Sequence, residues 1–260
     1  MKIGLSTLLF GGYDRDVAVQ EAHRAGYDGL ELCAIPRMGD HVHPGMCDCV
    51  YDGIRYTLEK SGLVLDAVGC SGGGPGTARF EGLMETAAKV GAPYCTTGSG
   101  GLAEDEDAWK VLMGQMSAAV AVCERTQVKL SIKPHVRASV YNIDSARRFV
   151  EELDSEWIGL NIDNTHLQRS GDDPVRAVKE LKDWIFTARI RDFKSDDLGI
   201  GPVENQIPGK GQADVRGYWD ALAEHTKLDI VSVEMVGAKE FELDEVVRVI
   251  TETIGALRAY

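Results

Sequence analysis

Four charged residues stand inside short, otherwise apolar runs. They are Lys133 in KLSIKPH (129–135), Asp163 in GLNIDN (159–164), Arg189 in FTARIRDF (186–193) and Glu234 in DIVSVEM (229–235). A charge in such a run is costly unless it is paired or does chemistry. Two carboxylates with two cations suit proton transfer, because a carboxylate can take a proton and an ammonium can return one. The same four groups would also make a purely structural ion cluster. Close by lie His135, His166, Arg191, Asp192 and Lys194, and far upstream Glu31 stands in DGLELC (28–33), where it could meet a ligand hydroxyl.

Other signals are less specific. His41, His43, Cys47 and Cys49 form an HxH…CxC cluster whose spacing could accommodate zinc. Cys-x-Cys is less typical of zinc sites than Cys-x2-Cys, and a loop with cysteines at a helix start is the simpler reading. His41 or His43 would otherwise reach a ligand from that loop. Residues 71–76 and 98–101 are glycine-rich, which lets backbone approach a ligand, although such loops are common without that role. Pro208-Gly209-Lys210-Gly211 is no Walker motif: Glu204 stands where a glycine is required, and no Ser or Thr follows the lysine.

The elements that position these residues follow from periodicity. Four earlier runs, KIGLST (2–7), DGLELC (28–33), LVLDAVGC (63–70) and PYCTTGS (93–99), read like the four above. Short and near-continuously apolar, all eight read as strands of a parallel sheet buried on both faces. Between them, rows such as Trp109, Leu112, Met116, Val120, Cys123 and Leu243, Val246, Ile250, Ile254, Leu257 recur at helical spacing. Gly26, Gly62 and Gly91 follow helical stretches as stop signals, and Asp144 and Asp214 read as N-caps. Eight strand–helix units in 260 residues predict a single (β/α)8 TIM barrel over residues 1–260. An open doubly wound sheet would carry GxGxxG after its first strand, and LLFGGYD lacks it. Barrel sites lie at strand C-termini. Lys133, Asp163, Arg189 and Glu234, on four successive strands, are therefore expected to converge on one point. Residues 194–213, KSDDLGIGPVENQIPGKGQA, are expected to form a long loop over it.

The net charge of −13 argues against nucleic-acid or anionic-membrane partners. No apolar run approaches the ~20 residues needed to span a bilayer, and the N-terminus lacks a secretory pattern. The six cysteines do not read as a disulfide framework, so a reducing cytoplasm is expected.

MKIGLST, AGYDGLEL, IKPH, NIDNTH, RIRDFK, IPGKGQAD and VSVEM together resemble successive signatures of xylose-isomerase-like barrels, from the first strand to the last. The order and spacing are more specific than any one motif. The resemblance implies an isomerase or epimerase moving a proton next to a carbonyl. It also implies a divalent metal held by a Glu, an Asp, a His and a Glu on the last four strands. Asp163 and Glu234 match; Lys133 and Arg189 replace the other two ligands. Neither cation offers a lone pair, and two carboxylates alone hold Mn²⁺ or Mg²⁺ poorly. We therefore expect no cofactor and no metal at this position, the two cations supplying the charge instead. Asp163 and Glu234 are the ligands if a metal is present after all.

On the same basis Glu234 is the candidate base and Lys133 the second acid/base, or a Schiff-base lysine. Arg189 and Lys194 would stabilise an enediolate oxygen. His166 and His135 would hold hydroxyls or shuttle protons, and Glu31 and His43 would contact substrate. The expected ligand is a small carbohydrate or keto-acid. The alternatives are a lyase or dehydratase acting by β-elimination on a keto-sugar or cyclitol, and a non-catalytic accessory barrel. Self-association is common among such barrels. An endonuclease reading would need more metal ligands and a positive face.

Overall fold

A computed structural model of the chain describes residues 1–71 and 74–260. Gly72 and Gly73, in the glycine-rich stretch after the third strand, lie outside the described residues. Eight parallel strands run in chain order around the molecule: β1 (Lys2–Ser6), β2 (Gly29–Ile35), β3 (Val64–Cys70), β4 (Tyr94–Gly98), β5 (Lys129–Lys133), β6 (Ile158–Asp163), β7 (Ile185–Ile190) and β8 (Ile230–Val233). Each pairs with its sequence neighbours, and β1 pairs with both β2 and β8, so the sheet closes into a barrel. A two-residue antiparallel strand, Gly39–Asp40, extends the end of β2. The helices are α1 (Arg15–Ala25), α2 (Asp48–Ser61), α3 (Ala78–Val90), α4 (Glu106–Thr126), α5 (Ile143–Leu153), α6 (Asn164–Arg169), α7 (Pro174–Leu181), α8 (Val215–His225) and α9 (Leu243–Arg258). The expected (β/α)8 barrel is therefore the fold.

The apolar rows do what their spacing predicts. Trp109, Leu112, Met116 and Cys123 are buried, as are Val246, Ile250, Ile254 and Leu257. Gly26, Gly62 and Gly91 cap α1, α2 and α3 in the left-handed region. Asp214 caps α8 by accepting from Gly217 N at 2.8 Å. Asp144 does not cap α5. Asn142 does, because Ser145 completes a reciprocal capping box with it, which leaves Asp144 in the first turn.

The loop before α2 bears out the simpler reading of cysteines at a helix start. Cys47 caps α2, and its sulfur is joined to that of Cys49 in a local disulfide; the other four cysteines are free. Two residues at the head of one helix need no long-range framework to meet, so the cysteine pattern did not expose this pair. The HxH…CxC cluster also does not converge. His41 is buried against Thr7 Oγ1 and the Tyr13 carbonyl, and His43 turns to the Pro44 carbonyl. No helix among the described residues is long and apolar enough to cross a membrane.

Polar side chains fill the barrel interior. Ser131, Asn161, Thr187 and Ser232 are fully buried, and Ser131 Oγ meets Thr187 Oγ1 across strands at 2.9 Å. This polar packing gives the charges above it a floor of dipoles rather than hydrocarbon.

Candidate active site

Strand pleat decides which charges reach the barrel mouth. Side chains two residues apart share a face, so Thr187, Arg189 and Arg191 form one inward row climbing β7 and continuing just past its end. Arg189 is the middle rung and is completely buried. Its guanidinium is ion-paired with Glu31, faces Glu234 Oε2 from Nε at 3.5 Å and Asp66 Oδ2 from Nη1 at 3.6 Å, and donates to Thr96 Oγ1 at 3.2 Å. Gly69 makes room for this layer: a Cβ there would lie 2.9 Å from the Glu31 carboxyl group.

Arg191, one rung higher, rather than Arg189, meets Asp163 at the barrel mouth. Its Nη2 contacts Asp163 Oδ2 at 3.0 Å and lies 4.0 Å from Glu234 Oε1; its Nε donates to Thr165 Oγ1 at 3.1 Å. Lys133 Nζ donates to both oxygens of Glu234, at 2.6 and 2.8 Å, and lies 3.9 Å from Asp163 Oδ2. Asp163 Oδ1 meanwhile accepts from Thr165 N and Oγ1 and from His166 N, which fixes the carboxylate at the head of α6.

Part of this cluster lines a cavity of about 360 Å³ at the C-terminal end of the barrel. That volume lies within the range of small-molecule sites. Glu31, Lys133, His135, His166, Arg191 and Glu234 are on its wall, with Arg169 at the rim and Leu8, Ile35, Met38, Ile200 and Val236 as its apolar side. Ile200 comes from the long 194–213 loop. Lys133, Asp163 and Glu234 are thus brought together as expected, with Glu31, His135 and His166 beside them. Arg189 belongs to the layer beneath the cavity rather than its wall. Lys194 is exposed, and neither it nor His43 lines the cavity. Arg191 was noted only as a neighbour of the four charges and given no role, and Arg169, Asp66 and Thr96 were not singled out. The period-two row on β7 was the available signal for Arg191.

The electrostatics follow from burial and pairing. Burial opposes ionisation of Asp163, but Arg191 and Lys133 together hold its carboxyl well below the usual range. Glu234 is likewise buried, yet Lys133, Arg191 and Arg189 keep it below its ordinary value. Burial pushes Asp66 up to about 6, against its hydrogen bond from Ser232. It pulls Arg189 down to about 10. His166 is held well below its normal value, chiefly by burial, and His135, stacked on it at 4.0 Å between ring centroids, is lowered for the same reason.

Both imidazoles are therefore neutral near pH 7. His166 Nδ1 faces Val136 N at 3.4 Å and Arg169 Nη2 at 3.1 Å. Both partners can only donate, so Nδ1 is the acceptor and the ring proton sits on Nε2. That N–H lies 4.0 Å from Asp163 Oδ2.

The donor set does not fit a dication. Asp163 and Glu234 are the only carboxylates of the expected quartet, and N–H donors of Lys133 and Arg191 already meet the oxygens that would face a metal. Among the described residues, no three His, Cys, Asp or Glu side chains are grouped to hold a metal ion.

Residues 19–259 match a family model described as the xylose isomerase-like TIM barrel. An inosose isomerase of Bacillus subtilis is 25% identical over 173 residues, which cover 63% of this chain and 61% of that protein. An inosose dehydratase of Clostridium tetani is 22% identical over 158 residues, 56% of this chain and half of that one. The crystal structure of the IOLI protein with a bound zinc atom superposes with a TM-score of 0.80, at 19% identity, covering 100% of this chain and 99% of the other.

Proposed function

We propose, on the premise that this chain belongs to the xylose isomerase-like TIM barrel family, that it is an isomerase or epimerase moving a proton next to the carbonyl of a small keto-sugar or keto-cyclitol, without a metal. The observation that carries this reading is Lys133 Nζ seated on both oxygens of Glu234 in the wall of the cavity. A carboxylate has about four lone-pair positions, so Glu234 keeps capacity to receive a proton from substrate carbon. The C–H bond breaks toward Glu234, and its electron pair moves into the carbonyl to leave an enediolate. In this reading Lys133, hydrogen-bonded to Glu234, returns a proton to the enediolate and is recharged by the proton held on Glu234. His166 Nε2–H is a fixed donor to a substrate oxygen. The apolar side of the cavity suits the C–H face of a sugar ring.

Elimination is the second reading. The names of the relatives include both inosose isomerases and inosose dehydratases, and both outcomes begin with the same proton abstraction.

The test is nuclear magnetic resonance of inosose and a panel of ketoses in D₂O with chelator-treated protein. Exchange of the proton next to the carbonyl should persist in chelator and fall by about 10²–10⁴ in Lys133→Ala and Glu234→Ala. Isomer formation and water loss are read from the same spectra. A strict need for added Mn²⁺, Mg²⁺ or Zn²⁺, or undiminished exchange in both variants, would overturn the reading.

A further inference from the structure

Arg191 carries a signal that the ion pairs do not use up. The residue is 2% exposed, and its Nη1 has no hydrogen-bond partner among the described residues. A buried guanidinium nitrogen left without a partner forgoes a charge-assisted hydrogen bond and is costly. The rest of the side chain is held firmly, with Nε on Thr165 Oγ1 and Nη2 on Asp163 Oδ2. Thr165 Oγ1 is itself held by donating to Asp163 Oδ1 at 2.7 Å. Arg191 lines the cavity, so the free edge of the fork belongs to a group already fixed in the wall. His166 Nε2–H approaches the same Asp163 oxygen from another side.

We infer that the Arg191 guanidinium, with His166 Nε2–H converging on the same Asp163 oxygen, forms an oxyanion site, and that the ligand places a negatively charged or charge-developing oxygen there. The inference rests on the keto-sugar reading only for the ligand's carbon frame, not for its anionic oxygen. In the proposed reaction that oxygen is the one to which the carbonyl electron pair moves. Arg191 touches it directly and is then a catalytic residue. Arg189, one rung lower, also has a nitrogen without a hydrogen bond, Nε, but the residue lies beneath the cavity wall with Nε facing Glu234 Oε2 at 3.5 Å, so it cannot share the role. A donor preorganised where charge develops, and desolvated beforehand, is the arrangement that favours an enediolate over its ketone.

The experiment compares two metal-free probes by calorimetry in the presence of chelator: D-arabinonate, whose planar carboxylate resembles an enediolate, and D-arabinitol, its uncharged counterpart. Wild type should bind the acid at least about ten-fold more tightly than the polyol. Arg191→Met should abolish that preference. A merely structural role would weaken both probes together and leave their ratio intact, so the ratio is the readout. Should Arg191→Met fail to fold by thermal melting, Thr165→Val replaces it. That variant keeps the charge, frees the guanidinium from its Nε anchor, and should shrink the ratio. No preference in wild type, or an unchanged ratio in the variants, overturns the inference. A preference that depends on Arg191, together with no proton exchange on any ketone, would leave the anion site standing and remove the proposed reaction instead.

Discussion

At the scale of single residues, His166 is set by its neighbours more than by its own chemistry. A free imidazole would titrate at about 6.5 and exchange between two tautomers. Here burial disfavours the charged form, and two donors on Nδ1 choose the tautomer. One of them, Arg169, is anchored in turn by the carbonyls of Thr165 and Leu198. The ring can then offer a hydrogen bond without first losing a proton. Nitrogen-15 resonance of labelled protein should show Nε2 protonated and Nδ1 bare at pH 7, with no titration step near 6.5. The sign for stability follows. The unfolded chain takes up the proton first, so the His166 contribution is complete above the ordinary imidazole value and is lost as pH falls toward the lowered one. A bare Nε2, or a step at the ordinary value, would remove His166 as a fixed donor.

At the scale of elements, the clearest case is the long loop that returns from β7 to α8. Its anchor is Asp192, buried just after Arg191. Oδ2 of Asp192 accepts from Gly209 N and Gly211 N at 3.0 Å each, while Oδ1 accepts from Phe193 N at 2.8 Å and Ala213 N at 2.9 Å. The Gly209 and Gly211 amides of Pro208-Gly209-Lys210-Gly211 thus point at this carboxylate, while Lys210 N donates to the Ile207 carbonyl, so the segment is not a phosphate loop. Gly211 is required because a Cβ would stand 2.2 Å from Asp192 Oδ1. Asp192→Asn turns an acceptor into a donor opposite backbone N–H groups. It should cost about 2–4 kcal/mol in denaturant unfolding and speed hydrogen exchange at Gly209, Gly211 and Ala213. An unfolding curve unchanged from wild type would show that the loop is held elsewhere, for instance by buried Gln206 on the Val236 backbone.

The loop also marks how far sequence reading reaches. Eight strands were legible because each is a short apolar run between helical rows. Lys133, Asp163 and Glu234 were legible as charges at the ends of such runs. Arg191 was not told apart from Arg189: the two share the inward row of β7, and periodicity does not say which rung reaches the cavity. Asp66, Thr96 and the Arg189–Glu31 pair depend on contacts across the barrel between strands distant in the chain, and no local pattern encodes those.

For the molecule as a whole, the barrel closes over four acidic side chains, Glu31, Asp66, Asp163 and Glu234, against three cations, Lys133, Arg189 and Arg191. Asp66 decides the balance. Its carboxyl, raised to about 6 by burial, is protonated in acid and charged near neutrality. A raised acid stabilises the fold fully below its unfolded value, and that contribution is lost as pH rises through about 6. The unfolding free energy of Asp66→Asn relative to wild type should therefore grow by about 2–3 kcal/mol between pH 4 and pH 8, whatever constant cost the amide adds. Asp163 and Glu234 pull the other way, since their lowered carboxyls favour folding above the ordinary carboxylate range and lose that effect only in stronger acid. They are common to both proteins and drop out of the difference. Urea unfolding at matched pH values reads it directly. A difference that shrinks with pH would mean that Arg189 pairs with an ionised Asp66, making the barrel floor a second closed ion cluster. A difference that grows leaves the floor neutral at Asp66 in mild acid and concentrates the cationic field on Glu234, where the proposed proton transfer begins.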